Sequence, residues 1–118
     1  MFEERLEGLV DTIDGARAAC LVARDGITVS TVTREPDLDL EALAAELLTR
    51  THLISEDHRQ LALGELRQIA VTTDRYSILV GAVTDEYYLL LVVAAGGGFG
   101  RARFELRRAG LRFAEDLV

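Results

Sequence analysis

The sequence predicts one α/β domain of the α+β kind. Its order is α-β-β-α-β-β-β-α, around a single five-stranded, mostly antiparallel sheet. Three observations predict this. The chain has 118 residues and is 49% apolar, which suits one domain with a substantial core. Apolar residues recur at helical spacing at both ends and in the middle of the chain. Between the last two helical stretches lie three strand-like runs joined by two-residue turns, and links that short demand antiparallel neighbours.

The elements follow in order. Phe2, Leu6, Leu9, Val10 and Ile13 share one helix face, and Glu3, Glu4, Glu7 and Asp11 fill much of the rest. Asp14-Gly15 ends this helix, with Gly15 expected at C′. Arg17 to Ala23 shows no polar alternation after its first residue, as a strand covered on both faces would. Arg24-Asp25-Gly26 is a hairpin signal, and Ile27 to Val32 alternates as strand two. Pro36-Asp37-Leu38-Asp39 opens a long helix, with Asp37 or Asp39 as N-cap. Its expected core stripe is Leu40, Leu43, Leu47 and Ile54, widened by Ala44 and Leu48, and it runs to about His58. Leu63-Gly64-Glu65 breaks it. Strands are expected at Leu66–Thr73, Tyr76–Val83 and Glu86–Val93. Ala102, Leu106, Ala109, Phe113 and Leu117 stripe the final helix, with Phe104 and Leu111 beside them. Three helices divided between the two faces would explain the continuously apolar strands.

Composition narrows the function classes. The formal charge of −7 disfavours nucleic acid as the main partner. The longest apolar run, Leu89 to Ala95, has strand length and falls far short of a membrane span. The acidic, amphipathic N-terminus is unlike a signal peptide, and Cys20 is alone, so a cytoplasmic protein is expected. Every basic residue is Arg; without Lys there is no Schiff-base chemistry and no P-loop lysine.

The strand, glycine loop and arginine-rich helix from Tyr87 to Arg108 has the setting of a phosphate cradle. Its glycines, Gly96, Gly97, Gly98 and Gly100, do not fit G-x-G-x-x-G, because Arg101 stands at the third position. No strand follows the helix to complete a βαβ unit. The loop is therefore read as a sharp chain reversal. Arg101, Arg103, Arg107, Arg108 and Arg112 form the one basic cluster, and the acidic first helix is their expected counter-charge. His52 and His58 are six apart and fall on different helix faces, so no metal site is expected. Cys20 sits inside an apolar strand as a small hydrophobe, and no serine lies in G-x-S-x-G. No catalytic residue and no cofactor is expected.

What remains is interaction surface. Strand 66–73 follows the long helix and reads as a sheet edge, with Arg67, Ile69 and Val71 and no proline. Ala45, Thr49 and His52 lie off the main stripe of the long helix and leave room for another helix. Both features suggest self-association as a twofold dimer.

Four segments together resemble the roadblock / dynein-light-chain domain family, and within it the bacterial MglB-like regulators of Ras-like small GTPases. Gly15 to Gly26 resembles the family's opening strand and turn, and Leu38 to Ala45 the start of its central helix. Leu63-Gly64-Glu65-Leu66 resembles the entry to strand three, and Leu89 to Val93 followed by Gly100 to Ala109 the last strand and helix. The resemblance covers almost the whole chain. It implies a profilin-like sheet with the long helix on one face and the terminal helices on the other. It also implies a homodimer through strand 66–73 and helix 39–58, with Leu48, Thr51, Arg67, Ile69 and Val71 at the interface. It implies a non-enzymatic protein that binds a Ras-like GTPase and acts through the GTPase's own residues. Ala45, Thr49 and His52 are the expected docking residues. The chain has little before the first helix and nothing after the last, which tells against a role requiring long tails. Two alternatives stand beside this reading. One is an assembly scaffold without effect on a GTPase. The other is a small-ligand or anion sensor using the Gly96–Gly100 loop.

Overall fold

A computed structural model of the chain describes residues 2–117. The elements are α1 (Phe2–Thr12), β1 (Ala16–Ala23), β2 (Thr28–Thr33), α2 (Leu40–Gln60), β3 (Gln68–Thr72), β4 (Tyr76–Ala82), β5 (Tyr87–Ala94) and α3 (Phe99–Asp116). They match the expected order. The strands form one sheet in the order β2-β1-β5-β4-β3, with every neighbouring pair antiparallel.

This order follows from burial. β1 and β5 are the two runs without polar alternation, and such strands need cover on both faces. They pair with each other at the centre, from Ala23 opposite Tyr87 to Ala16 opposite Val93. The strands with more polar or exposed residues, β2 and β3, take the edges. Side chains then alternate between two cores. Ala19, Leu21, Leu79, Leu89, Leu91 and Val93 face α1 and α3, joining Leu6, Leu9, Val10, Leu106 and Phe113. Ala18, Cys20, Val22, Val80, Leu90 and Val92 face α2, joining Leu40, Ala44 and Leu48. The long helix thus covers one face and the terminal helices the other.

Asp39 is the N-cap of α2, its Oδ1 accepting from Ala42 N at 3.1 Å. The hairpin turn after β1 closes through Gly26, whose φ is +91°. A side chain there would also meet the Ala45 Cα of α2 at 3.1 Å, so the turn tucks against the helix. Tyr76 Oη donates to Glu35 Oε2 at 2.5 Å, tying the segment before α2 to β4. That hydrogen bond, more than burial, raises the Tyr76 phenol above its ordinary pKa.

Four expectations are corrected. The buried ridge of α2 is Leu40, Ala44, Leu48, Thr51 and Ser55, whereas Leu43, Leu47 and Ile54 are only half-buried. The apolar arc of α2 is wider than the strip it lays on the sheet, and spacing alone cannot say which part lies underneath. Phe104 and Leu111 are 59% and 66% exposed and lie away from the core, where Glu105 and Gly110 are buried instead. The ion pair joining α1 to α3 is Arg5 with Asp116, while Arg101 and Arg108 turn to Glu105 of their own helix. The Arg5 guanidinium also lies over the Phe113 ring, 6.0 Å from its centroid. Gly15 has the left-handed φ expected of it, but one residue beyond C′, in a turn closed by Ala16 N and Ile13 O at 3.1 Å.

Candidate protein-interaction site

The free edge of β3 lies beside a half-covered patch of sheet. β3 pairs only with β4, Ile69 opposite Val80 and Val71 opposite Ile78, and its other side carries no strand among the described residues. Ile69, Val71 and Ile78 share the face on which α2 lies. Yet α2 sits over β1 and β2, leaving these three side chains partly open. Val71 is 39% exposed. Leu43 and Leu47 stand at the margin of the same cluster. Edge backbone and adjoining apolar surface therefore form one continuous feature.

The expected interface residues divide. Ile69 and Val71 lie on the edge strand β3, and Arg67 immediately precedes it. Leu48 and Thr51 do not lie at the edge: both are 2% exposed, on the ridge of α2 pressed to the sheet, and no second molecule can reach them. Leu43, Leu47 and Ile54 are the half-buried apolar residues of α2, about 60–100° around the helix from that ridge.

Ala45, Thr49 and His52 lie on the opposite flank of α2. Ala45 abuts the Gly26 turn. Thr49 donates its hydroxyl to Ala45 O at 2.9 Å. Thr49 and His52 line a cleft of about 580 Å³ with Ala23, Arg24, Glu86, Tyr87 and Leu53. Leu53 is 60% exposed and was missed by the sequence reading. The signal for it existed, as a leucine on the polar side of the helix. Beyond His52 the cleft continues toward Arg59, Glu65 and Arg67. Arg59 pairs with Glu56 at 3.1 Å and Glu65 at 3.2 Å, and the Glu65 contact raises its already high pKa further. Basic and acidic groups are interleaved here, so the charge at this end of the cleft is mixed.

The glycine loop is packed as a chain reversal. A side chain at Gly97 would sit 2.8 Å from Val93 Cγ1 and 3.2 Å from Asp14 O, so only glycine lets this turn close against the one after α1. Gly98 caps α3 without a side-chain bond. The hollow beside the loop holds Arg17 and Arg101 but also Asp14, so its charge is mixed. Cys20 is fully buried and its thiol pKa is pushed up to about 12 by desolvation, which leaves it protonated and inert. His58 Nδ1 lies 2.9 Å from Ile54 O, within its own helix. No cluster of His, Cys, Asp and Glu suited to a metal ion occurs among the described residues. Nor is any helix among them long and apolar enough to cross a membrane.

No protein-family model and no curated protein matches the sequence. Solved structures match closely in fold. A roadblock/LC7 domain from Streptomyces avermitilis superposes with a TM-score of 0.88 at 19% identity, covering 98% of this chain and 96% of that one. The gliding protein MglB of Thermus thermophilus gives 0.86 at 20% identity, over 95% of this chain and 84% of that one. MglC from Myxococcus xanthus gives 0.73 at 28% identity, over 98% of both chains. With helix placement, strand order and free edge described, the chain has the roadblock/LC7 domain fold of the MglB-like kind.

Proposed function

We propose that this chain is a non-enzymatic, homodimeric regulator or scaffold that binds a Ras-like small GTPase in the bacterial cytoplasm. The observation carrying the dimer is the free β3 edge continuous with the apolar patch of Ile69, Val71 and Ile78. A second copy laid antiparallel along β3 would satisfy the edge backbone and cover the patch in one step. Leu43, Leu47 and Ile54 of α2 border that contact. The GTPase rests on the resemblance carried by the sequence, whose members bind such proteins, and on the likeness to MglB. The docking surface is the other flank of α2, at Thr49, His52 and the exposed Leu53.

Sedimentation equilibrium of the chain, then titration against a Ras-like GTPase of the same organism loaded with GTP or GDP, tests this reading. A dimer that prefers one nucleotide state is expected, with Leu53→Glu weakening binding at least about tenfold while leaving the dimer mass unchanged. No binding in either state would sink the GTPase reading. Binding with unchanged GTP turnover at saturation would identify a scaffold.

A further inference from the structure

The exposed face of α3 plays no part in the dimer or in GTPase docking as proposed. Along it, Gly100, Phe104, Arg107, Leu111 and Ala114 recur at alternating steps of four and three residues. That spacing forms one seam down a helix, as in a coiled coil. Phe104 and Leu111 are 59% and 66% exposed and stand one heptad apart on the same side of the helix. The bordering side chains are Arg103 on one side and Glu115 and Arg108 on the other. Arg108 and Arg112 also line the groove toward α1, so they stand between the seam and the acids of that helix. Arg101 and Arg108 are held by the nearly buried Glu105 at 3.3 and 3.6 Å, and Arg103 Nε donates to Gln68 Oε1 at 3.3 Å. Arg107 has no ion-pair partner among the described residues. It sits at the centre of the seam, between the two apolar residues.

We propose that this face of α3 docks an acidic amphipathic helix from a partner protein. Phe104 and Leu111 take its apolar residues, and Arg107 takes a carboxylate. An arginine covered within a helix seam is costly unless an acid meets it, so Arg107 sets both the register and the charge of the partner. Two other occupants fit less well. A second copy has acids on α1, at Glu3, Glu4, Glu7 and Asp11, but the apolar residues of that helix are buried in its own core and cannot meet Phe104 and Leu111. An anionic membrane needs several free cations to hold a chain whose net charge is −7, whereas one carboxylate on a helix needs only Arg107.

The test uses the full chain and two synthetic peptides of about three heptads with leucine seams, one flanked by glutamates and one by lysines. Binding is read by fluorescence anisotropy. The glutamate peptide is expected to bind at least about tenfold more tightly than the lysine peptide. Phe104→Ser with Leu111→Ser should abolish the difference. Arg107→Glu should reverse it, a result that mere loss of structure cannot produce. Because these residues are exposed, the variants should keep the parent's thermal midpoint. The proposal is overturned if neither peptide binds, or if both bind alike. It is also overturned if Arg107→Glu changes the mass of the chain alone, which assigns the face to a second copy. Preferential capture by phosphatidylserine vesicles through the same residues would assign it to membrane instead.

Discussion

The two faces of the sheet are made by the same strands but are covered to different extents. On the α1/α3 side, Leu79, Leu89, Leu91 and Val93 are at most 1% exposed, because two helices span the sheet from β2 to β4. On the α2 side, Ala18, Cys20, Val22, Leu90 and Val92 are equally dry, but Ile69 and Ile78 are half open and Val71 is exposed. One helix cannot cover five strands. The uncovered apolar residues are not scattered; they collect at the unpaired edge. A face closed within one chain serves its stability; the face left open beside a free edge is the one proposed for association.

Three experiments bear on that contrast. The largest effect is expected in the closed core. Phe113, 1% exposed and stacked on Phe2 at 5.6 Å, should cost about 3–5 kcal/mol when changed to Ala, read by urea unfolding. If the two faces act independently, Phe113→Ala leaves self-association unchanged at concentrations where the chain stays folded. Next, Val71→Asp on the open face should weaken self-association at least tenfold, about 1.4 kcal/mol, by sedimentation, with little change in the unfolding of the monomer. A loss of monomer stability as large as that of Phe113→Ala would show that Val71 belongs to the core and erase the distinction. The smallest effect concerns Cys20, under α2 where that face is closed. Its thiol holds its proton more tightly folded than unfolded, about 12 against the ordinary 9.0. Stability from this group is therefore full below pH 9 and falls as pH rises from 9 toward 12. The loss should be on the order of 1 kcal/mol at pH 10, and absent in Cys20→Ala. At pH 8 the native thiol should resist disulfide reagents. Ready modification would mean that α2 opens over β1.

Much of the fold was legible because its signals are local. Asp39 before a helical stripe, Gly26 in a hairpin turn and Leu89 to Val93 as an unbroken apolar run each state their own conformation. The candidate site was legible in part. Arg67, Ile69 and Val71 could be placed at an edge because strand 66–73 starts a meander, so its short turn fixes a neighbour on one side only. Leu48 and Thr51, expected at the interface, are buried against the sheet within the chain. A threonine at helical spacing reads as surface, and nothing local says that it lies over the sheet. Leu53 was missed because a stripe analysis discards apolar residues that fall outside the stripe. Phe104 and Leu111 were placed beside the core stripe of the last helix, and spacing alone did not say that they point away from it.

By itself, then, the order of residues determined the eight elements, their turns, and which strands need cover on both faces. It did so because period, capping and turn chemistry act over a few residues. Only the tertiary structure decided that β5 slots between β1 and β4, that α2 lies over one half of its face, and that α3 turns Phe104, Arg107 and Leu111 outward. Those outcomes depend on fitting three helices onto one twisted sheet, where the volume of every neighbour counts at once. The glycine loop shows both levels together. Its residues announce a reversal, but only the close approach of Gly97 to Val93 and Asp14 shows that it serves to seat a helix, with no ligand needed to explain it.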